Sequence, residues 1–314
     1  DATKRSGLAT AILLAISYAS TIGGTATLVG TLPNMVMKKF YDENFATAAP
    51  LNFSNWFLFA FPLSVVFLIV CFLVFKYLLL PKSDHVLPDS NYCKEEYSKL
   101  GKMSFEEKAI AWIFSGAILL WFTLDDKDIW GLHITGWKTL LLNAHIIPDE
   151  KFVNESFVAI LMGLSLFFFP SKNKKGEALI NWDDVKKLPL GILFLFGGGF
   201  ALAKGVEVSG LSQWIANNCV GLKSLNEWVM IFSLCVITTI FSEFASNTAT
   251  VSLFMAILIP IIPELGIPPL LVMMPVTIAA SYSFMLPVGT PPNTIVFGTE
   301  MVKVKTMLRV GLWL

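Results

Sequence analysis

The sequence predicts an all-α polytopic membrane protein that contains an inverted repeat, discontinuous helices and a re-entrant hairpin. Three observations predict this fold class: the composition, a series of long charge-free runs, and a short proline-containing motif that occurs twice. Of the 314 residues, 55% are hydrophobic and only 15% are charged, whereas a soluble domain carries about 25% charged residues. Because so few polar side chains could cover a soluble surface, the composition indicates an integral membrane protein.

The charged residues and cysteines exclude other classes of protein. Lys and Arg together number 23, and so do Asp and Glu, so the charge balance offers no electrostatic basis for binding nucleic acid. The four cysteines contain no Cys-x-x-Cys pair, which argues against a zinc site and a disulfide framework. We therefore expect no organic cofactor and no structural metal.

The membrane segments are predicted from runs that contain no Asp, Glu, Lys or Arg. A membrane helix needs about 20 largely apolar residues, so the shorter runs need flanking polar residues or tilt to span. The longest two hold 32 and 35 residues, too many for one plain crossing, and Gly and Pro interrupt both. The charge-free runs are 6–37, 56–75, 109–124, 156–170, 188–203, 228–242, 245–263 and 265–299.

Loop charge predicts the orientation. Residues 171–187 carry five Lys, whereas the longer stretch 125–155 carries three. The positive-inside rule therefore places 171–187 in the cytoplasm and 125–155 outside. Counting crossings then places both termini inside if residues 228–263 form a re-entrant hairpin that enters and leaves from the external side. Two full crossings are the alternative.

An internal repeat lies within the two longest runs. Val29–Asn34 reads Val-Gly-Thr-Leu-Pro-Asn, and Val288–Asn293 reads Val-Gly-Thr-Pro-Pro-Asn. The crossing count makes the two copies antiparallel, as an inverted repeat requires. Proline cannot continue a helix, and unwound backbone at membrane depth is tolerated only where protein or a water-filled cavity satisfies it. One copy alone is consistent with a proline kink, but the pair indicates a transporter binding site at the membrane midplane.

The predicted hairpin turn adds polar groups to this site. Residues 242–250 read Ser-Glu-Phe-Ala-Ser-Asn-Thr-Ala-Thr, so hydroxyls and an amide stand between two apolar arms. Asn247 can ligate a cation through its amide oxygen. Glu243 is the only titratable candidate at the site, and we interpret it as a structural hydrogen-bond partner, with proton carriage as the alternative. Neutral oxygen ligands suit Na⁺.

Spacing within the second repeat predicts what the first should contain. Asn247 precedes Asn293 by 46 positions. A hairpin tip at the same distance before Asn34 would lie ahead of residue 1. We therefore expect the chain to begin partway through the first repeat and to be truncated at both ends.

With these motifs the chain resembles the divalent anion/sodium symporter family, also called solute carrier family 13 or INDY-type di- and tricarboxylate transporters. The resemblance extends over essentially the whole chain, and the last of its matching stretches is the most specific. One departure is Leu32, where many members have proline. The matching stretches are 22–34, 195–205, 246–248 and 283–297.

The resemblance implies two sodium sites with a carboxylate between them. It assigns one sodium to Gly30 and the other to Ser242, Ala245, Asn247 and Gly289. The substrate contacts that it implies are Thr31, Asn247, Thr248, Thr290 and Pro291. The supporting residues are Pro33, Asn34, Ser246, Pro292 and Asn293.

Three segments follow from this organisation. Residues 1–37 are a discontinuous helix that closes the first, incomplete repeat, and 38–187 hold connecting, scaffold and interface helices with cytoplasmic loops. Residues 188–314 form the second repeat, with the hairpin 228–263 and the discontinuous helix 265–299. We expect a multi-pass homodimer in the lipid bilayer of a plasma or cytoplasmic membrane.

The predicted function is sodium-coupled symport of di- or tricarboxylates of the succinate, malate, fumarate or citrate class, by alternating access. A carboxylate exchanger or a sulfate transporter of the same fold is the alternative. A membrane-embedded enzyme is a remote one, because the charge-free runs hold no His and Ser-Asn-Thr offers no base. A plain structural scaffold fails to explain two costly helix breaks.

Overall fold

A computed structural model describes residues 2–79, 90–129, 132–173, 176–188, 191–211, 214 and 226–314. The described regular structure is helical apart from one small β-hairpin. Two compact units are present. The first comprises Asp1–Leu51, Asn55–Val86 and Leu190–Leu314, and the second comprises Asn52–Ser54 and Leu87–Pro189. Each is treated separately below.

The helices and strands follow one another along the chain. The short strands β1 (Lys127–Ile129) and β2 (Leu132–Ile134) pair in antiparallel fashion, and a 3₁₀ turn occupies Glu150–Phe152. The helices are α1 (Ala2–Thr25), α2 (Leu32–Asn44), α3 (Phe53–Leu78), α4 (Ser90–Lys99), α5 (Phe105–Phe122), α6 (Trp137–Asn143), α7 (Glu155–Ser165), α8 (Trp182–Lys186), α9 (Gly191–Val208), α10 (Glu227–Phe244), α11 (Asn247–Leu265), α12 (Pro269–Ser281), α13 (Pro291–Phe297) and α14 (Val304–Gly311).

The first unit contains two interruptions at the predicted positions. Residues 26–31, here called the first break, separate α1 from α2, and residues 282–290, the second break, separate α12 from α13. Proline is the second residue of α2 (Pro33) and fills the first two positions of α13 (Pro291 and Pro292), where a missing N–H leaves no hydrogen bond unmade. Each of the two long charge-free runs thus contains two helices separated by a short non-helical stretch.

The end of α2 differs from the prediction. The charge-free run ends at Met37, but the helix continues to Asn44. Its last turns are held by ion pairs between Lys38 and Asp42, at 2.8 Å, and between Lys39 and Glu43, at 3.9 Å. Placing the end of the helix at residue 37 was wrong, because charged residues spaced four apart support a helix instead of ending it.

Four helical stretches in the described part of the chain are long and apolar enough to cross a membrane. They are Gly7–Thr25, Phe53–Leu78, Glu227–Phe244 and Asn247–Leu265. The last two are α10 and α11, which are separated only by Ala245 and Ser246. Two shorter apolar helices, Glu155–Ser165 and Pro269–Ser281, accompany them.

The core of the first unit brings the interrupted helices together. The α11 helix packs against α9, α2 and α12, while α10 packs against α12 and α1 against α13. Val251, Met255 and Val272 are completely buried in this core. Because the hairpin arm α11 contacts the helix that follows the first break and the helix that precedes the second, the polar turn lies in the same unit as both breaks.

A carboxylate organises the loop after α7 in the second unit. Glu106 accepts hydrogen bonds from the Asn173 and Lys172 N–H groups, each at 2.8 Å, and from the Ser171 hydroxyl at 3.0 Å. The Asn173 N–H is the main reason that the pKa of Glu106 falls to about 2. This segment belongs to the lysine-rich stretch 171–187, whose first residues are thus tied to the start of α5.

Candidate functional site

The turn between α10 and α11 presents Asn247 to the second break. Asn247 is the first residue of α11. One terminal atom of its amide lies 2.8 Å from Ser242 Oγ, 2.9 Å from Gly289 O, 3.1 Å from Ser283 Oγ and 3.2 Å from Ala280 O. We call these four atoms the oxygen cluster.

Hydrogen bonding decides which amide atom faces the oxygen cluster. Two of the four oxygens are backbone carbonyls, which can only accept. The amide orientation that satisfies them places Nδ2 of Asn247 at this position, where it donates to its neighbours. The cluster contains no carboxylate. Its hydroxyl and carbonyl oxygens are the type of ligand that unwound transporter helices offer to Na⁺.

Glu243 supports the second break from α10. Its two carboxylate oxygens accept hydrogen bonds from the N–H groups of Met285 and Leu286, both at 2.8 Å. The residue is only 2% exposed. These contacts agree with the interpretation of Glu243 as a structural hydrogen-bond partner, because it satisfies two backbone donors that the interrupted helix leaves without helical partners.

Asn293 supports the same break from α13. Its amide nitrogen donates to Ser283 O at 3.0 Å and to Leu286 O at 3.1 Å. Its amide oxygen accepts from the hydroxyl of Ser17, at 2.6 Å, and its backbone N–H donates to Thr290 Oγ1 at 3.4 Å. Because Asn293 is fully buried, these contacts fix the backbone that carries two members of the oxygen cluster.

The two Gly-Thr-x-Pro-Asn copies share their local geometry. In the first, the Asn34 amide nitrogen and the Gly30 N–H both donate to Thr27 O, at 2.9 and 3.2 Å. In the second, the Asn293 amide nitrogen and the Gly289 N–H both donate to Leu286 O, at 3.1 and 3.2 Å. In each copy the accepting carbonyl belongs to the residue seven positions before the asparagine.

The glycine of each copy lies against the residue six positions before it. A Cβ on Gly30 would come within 2.3 Å of Gly24 O, and a Cβ on Gly289 within 2.8 Å of Ser283 Oγ. Real Cβ atoms do not approach heavy atoms within 3.0 Å, whether these are backbone, as at Gly24, or side chain, as at Ser283. Both breaks therefore require a residue without a side chain at this position.

The other sequence-predicted residues lie at helix ends beside the breaks. Thr31 and Thr290 precede the first residues of α2 and α13, and both have extended backbone dihedrals. Asn34 Oδ1 is buried and has no hydrogen-bond partner among the described residues. The remaining positions are Pro33 in the first turn of α2, Pro291 and Pro292 at the start of α13, Ala245 at the end of α10, Ser246 before α11, and the buried Thr248 in the first turn of α11.

The structure brings three of the predicted sodium ligands together and adds two residues. Ser242, Asn247 and Gly289 meet in the oxygen cluster, and Ala280 and Ser283 complete it. The sequence signal for both was the small and hydroxyl-bearing stretch 280–283 that precedes the second motif copy. In the described residues, no group of three or more His, Cys, Asp or Glu side chains could hold a metal ion.

A family model and several known proteins match this chain. The family model of the sodium:sulfate symporter transmembrane region matches residues 1–314. The sodium-dependent dicarboxylate transporter SdcS of Staphylococcus saprophyticus is 35% identical over 305 residues, covering 96% of this chain and 55% of that protein. The Na(+)/dicarboxylate cotransporter 3 of Mus musculus is 36% identical over an alignment of 327 residues, covering 96% and 52%. The chain spans about half the length of these curated relatives.

These comparisons agree with the apolar helices. The names of the family and of the relatives are those of transporters and not of enzymes. Because the family model covers every residue of the chain, the protein is a multi-pass integral membrane protein. The chain belongs to the family defined by the sodium:sulfate symporter transmembrane region.

Proposed function

We propose that this chain carries part of the transport site of a sodium-coupled symporter for di- or tricarboxylates, working by alternating access. The observation that carries the proposal is the oxygen cluster, in which neutral oxygens surround the Asn247 amide at 2.8 to 3.2 Å. The relatives named sodium-dependent dicarboxylate transporter and Na(+)/dicarboxylate cotransporter support both the coupling ion and the substrate class.

Sodium binds, in this proposal, among the four oxygens of the cluster. A half-turn of the Asn247 amide exchanges Nδ2 for Oδ1, which then faces the ion as a fifth oxygen. The ligands are then Ser242, Asn247 and Gly289, with Ser283 and Ala280, and the backbone of Ala245 lies beside them. Gly30 serves a second sodium at the first break, where the same local backbone geometry recurs.

The carboxylate substrate binds between the two breaks. Thr31 and Ser246 stand before the N-termini of α2 and α11, and neither side chain caps its own helix. Helix N-termini stabilise anions through their free N–H groups. Thr248, Thr290 and Pro291 complete the proposed substrate contacts.

The proposed fold is an inverted repeat. The matched hydrogen bonds of the two Gly-Thr-x-Pro-Asn copies support the repeat, and the two-residue turn between α10 and α11 supports a re-entrant hairpin. Alternating access would then move the hairpin and the broken helices together. A homodimer in a plasma or cytoplasmic membrane completes the proposal.

Asn247→Ala tests the site. In the full-length protein we expect the sodium concentration for half-maximal uptake and the apparent carboxylate affinity both to worsen roughly 10- to 150-fold, because a hydrogen bond to a charged group contributes about 1.5–3 kcal/mol. The measurement is uptake of radiolabelled succinate, citrate and sulfate into proteoliposomes, over a range of sodium concentrations.

Asn44→Ala is the matched control for this substitution. Asn44 also donates through its amide, to Phe40 O at 2.9 Å, but at the exposed end of α2. Carboxylate uptake by the Asn44→Ala protein should match that of the unsubstituted protein. Normal sodium dependence in the Asn247→Ala protein would remove this residue from the site. Uptake of sulfate in preference to both carboxylates would favour the sulfate alternative, and uptake without sodium would favour exchange.

Site-directed labelling tests the proposed topology. Lys186 and Glu150 are exposed residues of the stretches 171–187 and 125–155. Because the first stretch is richer in lysine, we expect a cysteine at Glu150 to react with an impermeant maleimide in intact cells and a cysteine at Lys186 to react only after permeabilisation. Reaction of both cysteines in intact cells would contradict the orientation.

A further inference from the structure

Two buried tyrosines connect the two breaks. Tyr18, in the middle of α1, is fully buried, and its hydroxyl donates to Phe284 O in the second break at 2.6 Å. Tyr282, the first residue of the second break, is 8% exposed, and its hydroxyl lies 3.0 Å from Thr25 Oγ1. Thr25 is the last residue of α1 and stands directly before the first break.

The Tyr18 hydroxyl holds the backbone beside the oxygen cluster. Phe284 follows Ser283, whose hydroxyl belongs to the cluster. The carbonyl of Phe284 is freed by the interruption of the helix, and Tyr18 satisfies it from another helix. The Tyr18 and Phe284 rings also pack together, with centroids 4.7 Å apart. Movement of this backbone therefore requires the hydrogen bond to break or α1 to follow.

The Tyr282 hydroxyl makes the converse contact, from the second break to Thr25, the residue before the first break. Its partner Thr25 is held in place, since Thr25 O accepts from Trp56 Nε1 at 2.9 Å and Thr25 Oγ1 lies 3.3 Å from Ser64 Oγ. Thr25 also follows Gly24, whose carbonyl faces Gly30. Tyr282 thus connects the start of the second break to the residue that leads into the first.

We infer that Tyr18 and Tyr282 are positioning residues that couple the two breaks, so that a ligand bound at one break changes the affinity at the other. This inference rests on the proposed sodium-coupled function. Coupling requires elements whose arrangement both sites influence. Tyr18 joins the middle of α1 to the second break, and Tyr282 joins the second break to the end of α1. Neither residue needs to touch the ion or the substrate, because each acts through the backbone it holds.

Tyrosine-to-phenylalanine substitutions isolate the two hydroxyls. In the full-length protein we expect Tyr18→Phe and Tyr282→Phe each to raise the sodium concentration for half-maximal succinate uptake roughly 5- to 30-fold, since each removes a buried hydrogen bond between α1 and the second break. The Hill coefficient for sodium should fall towards one in both, because the coupling is lost. A hydroxyl with a purely structural role would lower the amount of folded protein without changing the Hill coefficient.

Tyr41→Phe is the matched control. The Tyr41 hydroxyl also donates to a backbone carbonyl, Ala49 O at 2.6 Å, and Tyr41 is 2% exposed, but it lies at the far end of α2 from the first break. Its sodium activation should be unchanged. If Tyr18→Phe does not fold, the comparison of Thr25→Val with Thr25→Ser tests the inference instead. Of these two variants, only serine keeps the hydroxyl that contacts Tyr282.

The outcomes separate this inference from the proposed function. Uptake by the unsubstituted protein that does not depend on sodium overturns the proposed function and the inference with it. Sodium-dependent uptake in which Tyr18→Phe and Tyr282→Phe keep the sodium dependence and Hill coefficient of the unsubstituted protein overturns the inference alone. A lowered Hill coefficient in Thr25→Val but not in Thr25→Ser supports it.

Discussion

Gly30→Ala should abolish sodium-dependent uptake, whereas Gly23→Ala, in the helix α1 just before the first break, should leave uptake intact. The alanine Cβ at position 30 would lie 2.3 Å from Gly24 O and 2.6 Å from Thr27 Oγ1. Gly24 O is a backbone atom, so it cannot move aside as a flexible side chain would. Overpacking costs about 1–3 kcal/mol or more, and although Gly30 is exposed, relief of this clash with backbone displaces the first break itself.

Gly23 provides a control, because alanine there is expected to maintain or raise thermal stability instead of lowering it. No atom lies within 4 Å of a Cβ added there, and the residue sits inside α1. Alanine at a helical position is more favourable than glycine by about 0.5–1 kcal/mol. Thermal unfolding in detergent should therefore show a lower Tm for Gly30→Ala and an equal or higher Tm for Gly23→Ala. Wild-type uptake by the Gly30→Ala protein would show that the first break tolerates a side chain.

Glu243→Ala should be the most destabilising of the carboxylate substitutions. It leaves the half-buried N–H groups of Met285 and Leu286 without their acceptor. A hydrogen bond to a charged group contributes about 1.5–3 kcal/mol, so losing two should lower the free energy of unfolding by about 3 to 6 kcal/mol. Uptake should be lost as well, because the same backbone carries the oxygen cluster.

Two further variants show what the carboxylate contributes. Glu227 is exposed in the first turn of the same helix, and Glu227→Ala should cost no more than about 0.3–1 kcal/mol. Glu243→Gln keeps one acceptor oxygen, so its stability should lie between those of the alanine variant and the unsubstituted protein. If Glu243→Gln removed the pH dependence of uptake without lowering stability, Glu243 would carry protons instead of holding the break.

The positions of the two breaks could be predicted because their cause is local. Proline at 33, 291 and 292 lacks the N–H that a continuing helix needs, and the glycines at 30 and 289 allow the close approach that the turn requires. Both effects depend on residue type alone. A charge-free run that is too long for one crossing, with these residues inside it, was therefore sufficient to place each interruption.

Helix ends and long-range partners were not predictable in the same way. The last turns of α2, up to Asn44, carry ion pairs between side chains, and the strands β1 and β2 are too short to show an alternating apolar pattern. Tyr18 and Phe284 are separated by 266 positions, so no spacing in the sequence indicates their contact. Asn247 was predicted as a ligand from its motif, but the positions of Ala280 and Ser283 beside it depend on the packing of α10 against α12 and on the break that follows.

The Asn247 amide donates hydrogen bonds to the same oxygens that the proposed sodium ion would contact. Its N–H groups occupy the position between four oxygens, so the oxygens do not repel one another or collapse when the ion is absent. In the proposed site, loading would be an exchange in which a half-turn of the amide withdraws its N–H groups and sodium takes over the contacts with the oxygens. The rearrangement is confined to one side chain, which favours fast entry. The hydrogen bonds given up on loading weaken the net affinity, which favours escape into a compartment with little sodium.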